Sequence, residues 1–361
     1  QVESAKITKL RFLVNDEWRL SLGDSKALWE FSINEREKFW RTIIKFCDLK
    51  AETWGACDAI DVDHMPGARW FPEARFNFAE NLLKRRDEGE AIVFWGENGA
   101  RRYMTFAELY DAVSQLAEAL RSEGVGPGDR VAGFLPNVPD AIVSMLAAVS
   151  LGATWSSCSP DFGLQGVLDR FGQIRPKVLF ACDGYFYNGK AHDIRAKTGN
   201  LVRKLSSIER VIVIPYTETN PDLDVIPNAV QLADYVRDWP PNEMAFAQMP
   251  FDHPLYILFS SGTTGSPKCI VHEAGGMLLK HAVEQAVQFS IGPESRVFWF
   301  TTLGWMMWNW LASNLAWGAT ILLYDGSPFY PDGNAIWDLA AKERMTLFGT
   351  SAKYIDACNK A

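Results

Sequence analysis

From Ala91 onward the chain keeps a single beat: a short apolar run, a segment of helical periodicity, then another apolar run. The runs are AIVFW at 91–95, RVAGFL at 130–135, ATWSS at 153–157, KVLFACD at 177–183 and RVIVIP at 210–215. They resume with LYILFS at 255–260, RVFWFT at 296–301, ATILLYD at 319–325 and TLFGTS at 346–351. Between them lie amphipathic stretches such as MTFAELYDAVSQLAEALRSEG, where Thr105 and Glu108 stand at capping-box spacing and Gly124 supplies a stop. Strands separated by helices of this length require right-handed crossovers, so the alternation predicts βαβ units and mostly parallel sheets flanked by helices. The fold class is α/β.

Residues 1–80 read differently. SKALWEFSINEREKFWRTIIKFC has apolar residues at helical spacing, and the aromatic, proline-broken MPGARWFPEARFNFAENLL follows it. This predicts an N-terminal helical cap over 1–80, a first α/β subdomain over 81–254 and the start of a second, incomplete, over 255–361. With 361 residues the chain is too long for one simple core, which agrees with such a division. It starts without methionine and stops within a helical pattern at YIDACNKA, so it reads as part of something longer.

The net charge of −8 argues against a nucleic-acid surface, which needs a basic footprint. There is no uninterrupted apolar stretch of membrane-spanning length and no basic-then-apolar leader in QVESAKITKL. Six cysteines are scattered with no CxxC pair and no clustering with the five histidines, which predicts reduced thiols, no metal site and a cytoplasmic location.

One loop stands out chemically. After the apolar run YILF come SSGTTGSPK, residues 260–268. Gly262 and Gly265 allow consecutive backbone N–H groups to turn inward, a nest for anionic oxygens. Ser261, Thr263, Thr264 and Ser266 add hydroxyls, and Lys268 adds a point charge. The spacing is not that of the Walker loop, because proline precedes the lysine and no Ser or Thr follows it. A polar turn is the bland alternative, but so many specified residues directly after a strand favour phosphate binding.

This loop resembles the phosphate-binding signature of the adenylate-forming superfamily, which includes acyl-CoA synthetases, luciferases and the adenylation domains of peptide synthetases. The resemblance extends over nearly the whole chain, through MLAAVSLGATWSSCSPDFG and FWFTTLGWMMWNW. Within the superfamily, ARWFPEARFNFAENLL, SSCSPDFG, GWMMWNW and LFGTSAKYI look most like the acetoacetate-activating branch, related to acetyl-CoA synthetases. The resemblance implies the N-terminal part of the adenylate-forming fold, without its mobile C-terminal domain. It implies an AMP-forming acid–thiol ligase with ATP, Mg²⁺, CoA and acetoacetate as its small-molecule set. A carboxylate attacks the α-phosphate of ATP and releases pyrophosphate; the CoA thiol then displaces AMP.

By the same resemblance, Ser261 to Ser266 and Lys268 grip ATP phosphates, while Gly304, Trp305 and Met306 line the acyl pocket with Trp308 and Trp310 packed behind. Thr302 stands where acetate enzymes carry an aspartate. Lys190 is the one cation in CDGYFYNGKAHD at a place comparable to CoA-binding arginines, with Tyr187 where a second is expected. His272 and His281, beside the loop and its following helix, read as hydrogen-bonding residues and not as bases. No catalytic residue is expected inside the chain; the metal-reaching carboxylate, ribose aspartate and catalytic lysine are expected after Ala361. Two other readings stay open, a synthetase for another short acid and a non-catalytic paralogue that binds nucleotide.

Overall fold

A computed structural model describes residues 3–260 and 265–360. Three helices open the chain, α1 (Lys6–Trp18), α2 (Ser25–Asn34) and α3 (Arg36–Phe46). The stretch with apolar residues at helical spacing is divided into α2 and α3 at Glu35, whose backbone leaves the helical region at φ −120°. Asp24 caps α2 by accepting from the N–H of Ala27 at 2.8 Å. The indole of Trp18 donates to Thr42 Oγ1 at 2.9 Å and ties α1 to α3. A two-residue ladder follows, β1 (Ala59–Ile60) with β2 (Arg69–Trp70), and then the short α4 (Phe78–Leu82).

The asparagines of FNFAEN explain how this cap is held. Asn77 caps α4 and donates to the carbonyls of Ser150 at 3.1 Å and Ala247 at 2.8 Å. Asn81 pairs with both backbone groups of Lys50, at 2.8 and 3.0 Å. Both side chains are buried, so each satisfies main-chain groups that water does not reach.

The body holds two large sheets. Its elements run β3 (Glu90–Gly96), β4 (Arg101–Thr105), α5 (Phe106–Ser122), β5 (Arg130–Phe134), α6 (Pro139–Ser150) and β6 (Thr154–Cys158). Next come α7 (Leu164–Ile174), β7 (Val178–Cys182), the hairpin β8 (Gly184–Tyr187) and β9 (Lys190–Asp193), α8 (Arg195–Lys204) and β10 (Arg210–Ile214). Then β11 (Ala229–Gln231), α9 (Leu232–Tyr235), β12 (Pro254–Phe259), β13 (Cys269–Glu273) and α10 (Ala274–His281) follow. The chain continues through β14 (Arg296–Trp299), α11 (Met306–Ser313), β15 (Thr320–Asp325), α12 (Ala335–Lys342), β16 (Leu347–Gly349) and α13 (Ala352–Lys360).

The seven-stranded sheet has the order β11-β10-β7-β5-β6-β12-β13, parallel except for the antiparallel edge pair β12/β13. The five-stranded sheet has the order β16-β14-β15-β3-β4, parallel except for β3/β4. Strands β6 and β7 are buried along their whole length, as strands covered on both faces must be. The capping box at Thr105 and Glu108 is present, and Gly124 and Gly152 adopt φ +72° and +77° after α5 and α6.

The sheets are interleaved along the sequence. Strands β3 and β4 come from the segment expected to be the first subdomain, yet they complete the five-stranded sheet. Strand β12, expected to open the second subdomain at Leu255, instead joins the seven-stranded sheet. The anticipated break at 254/255 therefore does not coincide with a change of sheet. The segment 304–317 buries Trp308, Trp310 and Trp317 in the core.

Candidate active site

Parallel strands direct their carboxyl ends to one edge, where ligands of open α/β sheets gather. Here both sheets contribute to one cleft of about 670 Å³. Ser159 and Asp161 follow β6, Phe300 and Thr302 follow β14, Asp325 ends β15, and Ser351 follows β16. The hairpin β8/β9 forms an aromatic wall with Tyr185, Tyr187 and His192, the Tyr185 and His192 rings stacked at 4.8 Å.

The hairpin's turn, Asn188–Gly189, has φ +52° and +76°, the two left-handed residues of a tight β-turn. Its N–H groups donate to the Glu97 carboxylate at 3.0 and 2.9 Å, and that carboxylate also accepts from Ser327 N at 2.6 Å. Glu97 lies between β3 and β4, so one side chain fixes a wall of the cleft to the other sheet.

The cleft floor is a polar junction between the sheets. Asp325 accepts from the N–H of Asn137 at 3.1 Å and from the hydroxyl of Tyr216 at 3.0 Å. Asn137 in turn accepts from the indole of buried Trp308 at 3.0 Å. Desolvation at the floor pushes the Asp325 carboxyl up to about 6, with further elevation from Glu97 and Asp161.

Lys197 on α8 organises the neighbouring loop. Its ammonium donates to the carbonyls of Pro160 at 2.8 Å and Phe162 at 3.1 Å. A Cβ on Gly304 would stand 3.2 Å from the Phe162 ring, and the Arg170 guanidinium lies over the rings of Phe162 and Phe259. Ser157 Oγ donates to the carbonyl of Leu303 at 2.8 Å and ties β6 to the same segment. Phe162 and Arg170 thus connect the base of the glycine-rich loop to the start of the tryptophan-rich segment.

Of the expected phosphate-binding residues, Ser261, Gly262, Thr263 and Thr264 lie outside the described residues. The loop's base is described: the N–H of Ser260 donates to the carbonyl of Lys268 at 3.0 Å, and the N–H of Lys268 to Ser260 Oγ at 3.3 Å. Gly265 has φ +99°, open only to glycine without strain. Gln173 Nε2 on α7 donates to the Pro267 carbonyl at 2.8 Å. The loop joins two antiparallel strands, whereas the sequence reading ran straight on into a helix.

Trp305 and Met306 are 62% and 42% exposed at the start of α11, while Trp308 and Trp310 are buried. Lys190 is exposed at the start of β9 and is not among the residues lining the cleft. His281 is buried against Ser313 Oγ at 2.8 Å, and burial holds its imidazole down to about 4, a neutral core residue. Burial also lowers His272. Sequence reading missed Asp325, Asn137, Tyr216, Lys197 and Phe162. Asp325 had one signal, a carboxylate closing the apolar run ILLYD at a strand's carboxyl end.

Comparisons with known proteins agree with the fold. The chain is 51% identical to the acetoacetyl-coenzyme A synthetase of Rhizobium meliloti (strain 1021) over 341 residues, 94% of this chain and 52% of the relative. It is 38% identical to the malonamoyl-CoA synthetase vrtB of Penicillium aethiopicum over 94% of this chain and 50% of that protein. The solved structure of acetoacetyl-CoA synthetase from Streptomyces lividans superposes with a TM-score of 0.93 at 42% identity, covering 99% of this chain and 55% of that one. The chain therefore spans about half the length of the curated relatives it matches. The family model for the acetyl-coenzyme A synthetase N-terminus matches residues 25–82, across the helical cap. The model for AMP-binding enzymes matches residues 78–361, and the chain belongs to that family.

Proposed function

We propose that this chain carries the nucleotide- and acid-binding half of an AMP-forming ligase that activates acetoacetate with ATP and passes the acyl group to CoA. The observation that carries the reading is the pairing of a phosphate-type loop with a cleft at the carboxyl ends of both sheets, in a chain 51% identical to an acetoacetyl-coenzyme A synthetase. Residues Ser261 to Ser266 and Lys268 neutralise the pyrophosphate leaving group through N–H, hydroxyl and ammonium donors. Gly304, Trp305 and Met306 bound the acid, and Lys190 meets CoA. Mg²⁺ belongs to the proposal as the companion of the ATP phosphates, an ion that needs few protein ligands. Among the described residues no group of three His, Cys, Asp or Glu could hold a metal.

A cytoplasmic setting fits six free cysteines, and among the described residues no helix is long and apolar enough to cross a membrane.

A second reading of the acid is favoured by the malonamoyl-CoA synthetase match. Acetoacetyl and malonamoyl groups both carry a second carbonyl one methylene away from the thioester. Selection for that carbonyl, more than for chain length, accounts for both relatives, since one methylene alone discriminates by only about 1–3 kcal/mol.

The test is acid-dependent ATP–pyrophosphate exchange in the full-length protein. Exchange is expected with acetoacetate and much less with butyrate, which has the same carbon count without the second carbonyl. Lys268→Ala should slow it by about 1–3 kcal/mol in transition-state terms. Equal rates on both acids overturn the substrate, and unaltered exchange in Lys268→Ala overturns the loop's role.

A further inference from the structure

A cavity of about 320 Å³ lies on the seam between the N-terminal cap and the body, and shares no lining residue with the cleft. Lys6 and Lys9 reach it from the first turns of α1, and Lys84 from just after α4. Asp48 is the one carboxylate that lines it, and that group already pairs with Lys50 at 2.9 Å. Among the described residues, none of the three lysines lies within ion-pair distance of a carboxylate.

Their partners are neutral instead. The Lys6 ammonium donates to the Ile291 carbonyl, and that of Lys84 to the Asp48 carbonyl at 2.9 Å. Both lysines are partly buried, and desolvation lowers both from the ordinary lysine value. Ammonium groups drawn partly out of water are unfavourable where counter-charge is scarce, and the one carboxylate of this cavity, that of Asp48, is shared between Lys84 and Lys50. The cation surplus is the more notable in a chain of net charge −8.

The floor is built from elements that lead back to the site. Ala286 belongs to a wide helical turn with π-type hydrogen bonding, Ala282–Gln288, which continues α10. Trp317 belongs to the 3₁₀ turn Asn314–Trp317, which continues α11. Gln285 knits the two, donating to the Trp310 carbonyl at 2.6 Å and accepting from the Trp317 indole at 2.7 Å. The lining offers point-charge donors but no paired donors and acceptors that would read a base or a sugar.

We propose that this cavity is a second anion site, for a small inorganic polyphosphate such as pyrophosphate, which clamps α1 and the segment after α4 onto the body. The anion adds counter-charge to the single carboxylate of the cavity and cross-links two separate stretches of chain, α1 and the segment after α4.

Pyrophosphate titration of the full-length protein at low ionic strength, followed by thermal unfolding and calorimetry, tests this. The midpoint should rise with the logarithm of pyrophosphate concentration. The shift should survive Lys268→Ala, which removes the cation of the glycine-rich loop, so the proposal stands or falls apart from the proposed function. It should be lost, with at least tenfold weaker binding, in the double variant Lys9→Gln, Lys84→Gln. Lys9→Gln alone, at an exposed side chain whose charge opposes that of Lys6, should weaken binding without lowering the unliganded midpoint. A full shift in the double variant, or a shift abolished by Lys268→Ala, overturns the site.

Discussion

The hydroxyl of Tyr216 donates to Asp325 Oδ2 at 3.0 Å, joining the loop after β10 in the seven-stranded sheet to the last residue of β15 in the five-stranded one. With Asn137 N on the other oxygen, the carboxylate has two donors at a floor where water is scarce. Two are too few to offset desolvation fully, which is why its carboxyl titrates near 6.

The sign of the pH effect follows. An unfolded aspartate titrates near 3.9. Below about pH 4 both states hold the proton, and this group's stabilising contribution is fully present. Between about pH 4 and 6 the folded state keeps a proton that the unfolded chain has released, so stability falls as pH rises. The loss is about 1–3 kcal/mol, complete above pH 6. Asp325→Asn removes this dependence. Urea unfolding at several pH values should show the wild type losing stability relative to the variant across that window; a gap constant with pH refutes the assignment.

Lys197 acts on the cleft at second hand, through the Pro160 and Phe162 carbonyls. Lys197→Met leaves both carbonyls without their ammonium donor and frees Phe162 to move against Gly304. The expected outcome is a raised KM for the acid and a fall in kcat/KM worth about 1–2 kcal/mol, with ATP binding little changed. Lys197→Arg should recover much of it. Equal losses for ATP and acid, without rescue by arginine, would indicate general destabilisation instead.

Asn81→Ala tests the cap. It strips the N–H and C=O of Lys50 of their partner and removes a buried side chain, at a cost of about 2–4 kcal/mol. Limited proteolysis should then cut earlier in residues 47–75 than in the body. A cleavage pattern identical to that of the wild type would show that the cap is held by other contacts.

The parallel strands were legible because burial on both faces demands continuous apolar runs, as in VLFAC of β7. The antiparallel edge strands were not. RRYMT of β4 and CIVHE of β13 lie largely exposed, and their pairing is set by a neighbour, not by composition. The β8/β9 hairpin does carry a sequence signal, Asn188–Gly189, between its two strands. Within the tryptophan segment Trp308 and Trp310 are buried and Trp305 and Met306 exposed, and neither of the exposed pair is among the residues lining the cleft. The Asp325 junction could not be read from sequence, because its donors come from Asn137 and Tyr216, residues that meet only when the two sheets close on each other.

The interleaving of the sheets bears on how the chain is born. As it leaves the ribosome, β3 pairs at once with β4, but its other edge waits for β15, about 230 residues later in the register Ile92↔Ile321. At roughly 5–20 residues per second that wait lasts on the order of ten seconds or more. Throughout it AIVFW, a run destined for complete burial, presents an open apolar edge to solvent. A chain wired this way places its nascent form in the care of whatever shields such edges during synthesis, and slowing translation between β4 and β15 lengthens that exposure.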